Sequence, residues 1–301
     1  MSSTYSSKGK GEELNTGGLN TVFIDDSRLQ RLDSRPPVGL YLRQLWKRRA
    51  FIWYDARSKA FKAGRGTYLG RLWVLLEPLL QVSVYGLVFG IILQVSRGID
   101  NFVGFLVIGV IYFGFASKSL SAAAGLVRQN RNLISSFRFP RAAIVLSAST
   151  RLFLDSLVPA LLAVFLALVF QLDKTPSWSL FLVIPLLILI HLFNLGLLFW
   201  VARVTAFFPD FKSLVSLINR ALFFTSGVFF SIDRFDTHPV IRSFVEINPI
   251  YQFLMAVRNC VLNGTSPNVG VWIYLTAVSV VMALTGFLYF WHAEERYSRA
   301  R

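Results

Sequence analysis

The sequence predicts an all-α integral membrane protein. Six transmembrane helices are expected, with an N-terminal amphipathic interface helix before them and re-entrant helices before the last span. Three observations predict this. Of the 301 residues, 54% are apolar and only 16% charged, against about 25% charged in an ordinary soluble domain. The apolar residues gather into runs that reach the roughly 20 residues a helix needs to cross a bilayer core. Lys and Arg are divided unevenly between alternate connecting segments, as the positive-inside rule requires of a multi-pass chain. The net charge of +15 is scattered in short stretches between apolar runs, which fits a cytoplasmic membrane face and argues against nucleic acid as a partner. A single cysteine, Cys260, excludes an intramolecular disulfide and a cysteine-rich metal centre. His191, His238 and His292 are too widely spaced for a ligand motif.

Residues 1–37 are rich in Ser, Gly, Asn and charge and close on Pro36-Pro37, a composition expected of a disordered cytosolic tail. No apolar stretch follows the first residues, so no signal peptide is expected. Residues 38–67 form the interface segment. Within it, 38–62 has Leu42, Leu45, Trp46, Ile52, Trp53, Ala56 and Ala60 on one helical face and Arg43, Lys47, Arg48, Asp55, Lys59 and Lys62 on the other, the pattern of a helix lying in a membrane surface. Arg49 breaks it by falling on the apolar side.

The spanning domain is expected over 68–291. Its runs are Leu72–Val95, Phe102–Ala116 extending to about Val127, Ala142–Phe170, Trp178–Ala202, Leu214–Ile232 and Val269–Trp291. Of the 31 Lys and Arg, 23 fall on the side of the N-terminus, five on the other, and Lys118, Arg151 and Arg220 within spans. Both termini, including the short tail 292–301, are therefore expected in the cytoplasm. The outer segment 233–268 carries apolar clusters broken by His238-Pro239 and Asn248-Pro249. They are too short to cross and too apolar for a loop, which predicts re-entrant helices shielded by protein or water.

The cytosolic loop 126–141 holds Arg128, Arg131, Arg138 and Arg141 without an acid, together with Leu133, Ile134, Phe137 and Phe139. Topology alone explains the arginines; it does not require the apolar residues, which suit docking into a groove on a cytosolic partner. Ionisable residues in spans are functional candidates. Arg151 and Asp155 share a helix face and are open to two readings, a structural pair or a substrate contact. Glu77 is near a cytosolic helix end, and Arg220 has no acid within a helical turn. His191 and Asn194 suit interhelical hydrogen bonds as readily as a pathway. Trp178, Trp272, Tyr274 and Trp291 suit interfacial belts. Tyr85, Phe89, Tyr112, Phe223, Phe224 and Phe230 lie inside spans, where rings either face lipid or line a conduit and stack on sugar faces. No Gly-x-x-x-x-Gly-Lys-Ser/Thr phosphate loop is present, so an ATP-driven process needs a second chain. The chain itself is expected to bind no cofactor or metal.

The stretch Leu69-Gly-Arg-Leu-Trp-Val-Leu-Leu-Glu-Pro-Leu79 resembles the Leu-Gly-x-x-Trp…Pro-Leu motif that opens the first span of type-2 ABC exporter permeases. The polysaccharide branch, which serves O-antigen, teichoic acid and galactan export, is the most similar. The resemblance continues through Asn132-Leu133, Phe139-Pro140-Arg141, Asp210–Phe230 and Asn248-Pro249, and covers roughly 40–290. Two departures are Pro209-Asp210, where Arg-Asp is common, and Ser226-Gly227, where Ser-Pro is common. The resemblance implies a homodimer of six-span subunits in a bacterial plasma membrane, joined by two cytosolic ATPase subunits that bind ATP and Mg. It implies a lipid-linked polysaccharide as substrate, a coupling helix with Arg128, Arg131, Leu133, Phe137, Arg138 and Phe139, and an outer gate at Asn248 and Pro249. Gly70, Trp73 and Pro78 then form a joint between the interface helix and the first span. A permease of the same family exporting a small hydrophobic drug or lipid is the alternative. A membrane glycosyltransferase would need a cytosolic acidic cluster, which the sequence lacks.

Overall fold

The computed structural model describes residues 36–62, 70–93, 99–136, 139–172, 175–232 and 239–297. Among them every regular element is helical. The chain runs through α1 (Val38–Lys47), α2 (Arg49–Lys62), α3 (Trp73–Tyr85, continued by a π-helical stretch Gly86–Ile92), α4 (Phe102–Ala123), α5 (Leu126–Gln129) and α6 (Arg131–Ser136). It continues through α7 (Ala142–Val169), α8 (Val183–Phe207), α9 (Phe211–Thr225), α10 (Pro239–Ile247), α11 (Pro249–Val261) and α12 (Val269–His292). Helices α4, α7, α8 with its 3-10 lead-in, and α12 are long and apolar enough to cross a membrane. The chain is a membrane protein.

Polar caps set where these helices begin. Asn101 accepts from the Gly104 N–H at 2.8 Å and also donates to the Ala167 carbonyl at 3.0 Å, which fixes the start of α4 beside the end of α7. Asn268 caps α12 through the Val271 N–H. The α4 helix stops where Gly125 turns left-handed (φ 90°). It is the most enclosed span, packed by α3, α7, α8, α9 and α11. α8 and α12 approach so closely that a Cβ on Gly196 would lie 2.4 Å from the Met282 carbonyl, and one on Gly286 2.7 Å from the Gly196 carbonyl. Small residues let the backbones meet, and dispersion over the contact replaces the hydrophobic effect that lipid cannot supply.

The interface segment differs from expectation. It is two helices bending at Arg48, not one. Its buried residues are Tyr41, Leu45 and Ala56, whereas Trp46 and Trp53 are exposed. Asp55, expected on the outward polar face, accepts from Ser147 of α7 and from Lys59 at 2.7 Å. A helix that must satisfy a bundle as well as a surface needs a third face, and a two-face helical wheel cannot show it.

A buried polar knot closes the end of the bundle that carries both ends of the described chain. Glu294 accepts from the Tyr41 hydroxyl at 2.8 Å and from the Arg141 N–H at 2.9 Å, while the Arg141 guanidinium donates to the Glu294 carbonyl at 2.6 Å. Tyr41 in turn accepts from the Ala142 N–H at 3.0 Å. The knot joins α1, the start of α7 and the segment after α12. Burial raises the Glu294 carboxyl above the ordinary carboxylate range, against the lowering effect of its hydrogen bonds and Arg141.

Two outcomes follow from these contacts. Gly196→Val should lower the unfolding temperature in detergent by about 5 °C or more, because the added methyls meet backbone. Gly39→Val, where nothing lies within 4 Å, should leave it within about 2 °C. A raised carboxyl favours the protonated folded state, so its contribution is full below the unfolded pKa and is lost as pH rises through the folded one. Protection against hydrogen exchange over 293–297, taken relative to the intrinsic exchange rate at each pH, should therefore fall as pH rises above the ordinary carboxylate range, and Glu294→Gln should flatten that dependence.

Candidate translocation site

The site is built where the expected fifth span breaks. Apolar residues continue to Ile232, yet α9 ends at Thr225 after 15 residues, about 22 Å of helix. The break is Ser226-Gly227. Gly227 is left-handed (φ 64°), and a Cβ there would lie 2.7 Å from the Tyr251 ring. The chain then turns back into the bundle, with Val228 and Phe229 buried.

A helix ending inside an apolar bundle leaves carbonyls without donors, and each such group is costly. Arg258 of α11 supplies the donors. Only 2% exposed, its guanidinium donates to the carbonyls of Gly227 (2.8 Å), Val228 (3.0 Å) and Phe105 (3.0 Å), and it lies 3.3 Å from the Phe105 ring centroid. No carboxylate takes part in these contacts. Gly109 of α4 makes the room, since a Cβ there would lie 2.4 Å from the Arg258 Nη2. Asn248 completes the seam: its amide donates to the Ser226 hydroxyl at 2.9 Å and its oxygen caps α11 through the Ile250 N–H. Pro249 takes the first helical position, where its missing N–H costs nothing.

Around this seam the expected conduit rings fall into two groups. Tyr85, Phe89, Phe223 and Phe224 form one cluster with Phe229, which joins it from the turned-back segment. Phe89 stacks on Phe229 at 4.0 Å, Tyr85 lies 5.3 Å from Phe223, and Phe223 is edge-on to Phe229 at 4.9 Å. Phe224 forms the exposed rim. Tyr112 stands apart inside α4's packing, with its hydroxyl buried and unpartnered among the described residues. Phe230 is half-buried just beyond the cluster.

At the opposite end, Arg128 and Arg131 are exposed, Leu133 is half-buried, and Phe139 is half-buried against Phe51 of α2 at 5.9 Å. Phe137 and Arg138 lie outside the described residues. Gly70 is left-handed (φ 50°) at a 3-10 turn, Trp73 is exposed, and Pro78 is buried within α3. Arg151 pairs with Asp155 at 3.3 Å. The sequence reading placed Arg258 among the outer loop cations, and its structural role went unseen. Gly109, in the middle of an apolar span, is the one local sign that something large packs there.

The profile of the ABC-2 type transporter family matches residues 54–262, a stretch that holds α3 to α11 and the whole Arg258 seam. The chain belongs to the ABC-2 type transporter family. This transporter chain is 24% identical over 242 residues to the O-antigen export system permease protein RfbA of Myxococcus xanthus, covering 80% of this chain and 91% of that one. A protein of the same description from Klebsiella pneumoniae is 26% identical over 205 residues, 67% of this chain and 76% of its own. The polysialic acid transport protein KpsM of Escherichia coli is 24% identical over 204 residues, 65% and 75% respectively.

In this ABC-2 chain the seam depends on a fork of donors that a lysine cannot supply. Arg258→Lys should leave at least one carbonyl unsatisfied, at a cost of about 1–3 kcal/mol. Cys260, fully buried two residues away, reports it. Maleimide should label the variant at a temperature where the parent stays unlabelled, and equal labelling would show that the fork is dispensable.

Proposed function

We propose that the chain is the permease subunit of an ATP-driven ABC exporter that moves a lipid-linked polysaccharide across the bacterial plasma membrane. It works as a homodimer with two cytosolic ATPase subunits, which bind the ATP and Mg. Each subunit counts six membrane segments, with α3 and α9 lining the dimer axis, α10 and α11 re-entrant from the outer side, and both termini cytoplasmic. The names of the curated relatives support the substrate class.

The observation that carries the proposal is the exposed stripe of α9. Ser213, Ser216, Arg220 and Phe224 fall within one narrow helical face, and all are exposed. Arg220 lies about 13 Å from the start of the helix and has no ion pair among the described residues. A cation at that depth costs about 2.5–3.5 kcal/mol against lipid on insertion scales. The same face against water and a second subunit carries no such penalty. Serines, a cation and an aromatic rim are suited to a hydrated path for a polymer of hydroxyls, because ring faces allow a sugar chain to slide.

Co-expression with an ATPase encoded beside it tests this directly. The purified complex should hydrolyse ATP faster with a lipid-linked glycan. Arg131→Glu should reduce that stimulation about fivefold or more without affecting insertion. Arg220→Ala should reduce glycan transport about tenfold while hydrolysis continues. Transport by this chain without any ATPase would overturn the proposal.

A further inference from the structure

A cavity lies within the single subunit, and one of its lining residues, Ser117, accepts from the Asn219 amide of α9 at 2.8 Å. It has a volume of about 730 Å³ and is walled by α2, α3, α4, α5 and α7, with His191 of α8 at one side. That is within the range of small-molecule sites, roughly 300–1,000 Å³. Such sites are mostly apolar with a few polar groups; this one also has more apolar than polar lining, but it carries an unusual number of charges. Lys59, Lys118 and Arg151 supply three cations, and Glu77 and Asp155 supply two carboxylates. Asp55, which is not part of the wall, neutralises Lys59 at 2.7 Å. Ser156 and His191, 2.9 Å apart, join the wall as a hydrogen-bonded pair. Lys118 makes no ion pair or hydrogen bond among the described residues.

The charge balance limits the occupant. Three lining cations face two lining carboxylates, and with Lys59 neutralised by Asp55 little net field is left to select an anion, so a phosphate would gain from some walls and be repelled by others. A hydrocarbon tail would leave the charges and the Gln129 and Asn130 amides without water. A sugar hydroxyl donates and accepts at once, and a wall that alternates ammonium, carboxylate and amide matches it on both counts. Trp73 and Phe115 add ring faces for the apolar C–H side of a pyranose. We propose that this cavity binds an uncharged saccharide headgroup, held by Asp155 and Glu77 as acceptors and by Lys118 and Asn130 as donors. The site is additional to the α9 conduit, and it rests on the reading of the chain as a glycan exporter.

The test uses the full chain with its ATPase in nanodiscs of phosphatidylethanolamine containing equal amounts of diglucosyl-diacylglycerol and phosphatidylglycerol. Native mass spectrometry then reads which lipid the complex retains. Retention of the glycolipid at least fivefold over phosphatidylglycerol is expected. The ratio should fall towards one in Asp155→Asn, and in Ser121→Trp, which fills the cavity from an exposed position. Unfolding temperature serves as the check that both variants are folded. Preferred retention of phosphatidylglycerol, no preference in the parent, or a preference that both variants keep would each overturn the proposal. If glycan-stimulated ATP hydrolysis persists in that case, the exporter reading stands and only the cavity assignment fails.

Discussion

The structure depends on one constraint: a backbone that stops being helical inside an apolar bundle must find donors for its carbonyls. Arg258 meets it. A neutral amide could satisfy at most two of the three carbonyls, and a lysine could not present a planar fork to all of them. With Gly227 and Val228 held in this way, α9 can end after 15 residues, against 22 in α4 and 25 in α8, without exposing backbone to lipid. The same contact docks α11 on α4, and it seats Phe229 among Tyr85, Phe89 and Phe223. Gly109, Gly227 and Asn248 are each the residue the arrangement requires: one removes a side chain, one takes a left-handed turn, and one caps α11 while bonding Ser226.

The other end of the bundle is tied by different chemistry. There the buried group is an acid, Glu294, in place of a cation. Glu294 collects Tyr41 and Arg141 into a knot joining the start of the interface segment, the first turn of α7 and the segment after α12. Arg141 and Ala142 follow directly on the loop that carries Arg128 and Arg131. A displacement of that loop therefore pulls on α1 and on the α12 end together, since the hydrogen bonds at Glu294 are buried and mutually supporting. Phe139 adds to this by packing on Phe51 of α2. Ile134 and Phe139 hold the loop to the body of the protein, and Arg128 and Arg131 remain outward.

The long spans were legible because hydropathy and caps agree. Asn101, Asn268 and Gly125 stand where the helices begin or end, and the long apolar runs carry few charges, such as Lys118 in α4 and Arg151 and Asp155 in α7. The end of α9 was not legible for the converse reason. Val228-Phe-Phe continues the apolar pattern of Leu222–Phe224, so a hydropathy reading passes straight over Ser226-Gly227. Arg258 was hidden because its partners are carbonyls, one of them 153 residues away, and a carbonyl has no residue identity to recognise. Tyr41 and Glu294, 253 residues apart, were hidden by distance alone. Among the six rings expected to face lipid or a conduit, Tyr112 could not be separated from the others without knowing how α4 is enclosed.

The two tied ends define what can move. At the Ser226 end, α9 is fixed through the Arg258 seam and Asn248. Along its length, Val215 is the one fully buried residue among those described, and the Asn219 amide bonds Ser117 of α4 at 2.8 Å. The Phe211 end is exposed, joined to α8 through the short turn at Pro209-Asp210. A helix held firmly at one end and lightly along its side responds to a push by tilting about the held end. The glycine at the pivot already occupies the left-handed region, so small changes in its dihedral angles meet no Cβ clash of its own. The exposed Ser213–Phe224 stripe would sweep the widest arc at its Phe211 end and the narrowest beside the aromatic cluster. In the proposed exporter, such a tilt would widen the path first at the Phe211 end, farthest from the stacked rings of Phe89 and Phe229.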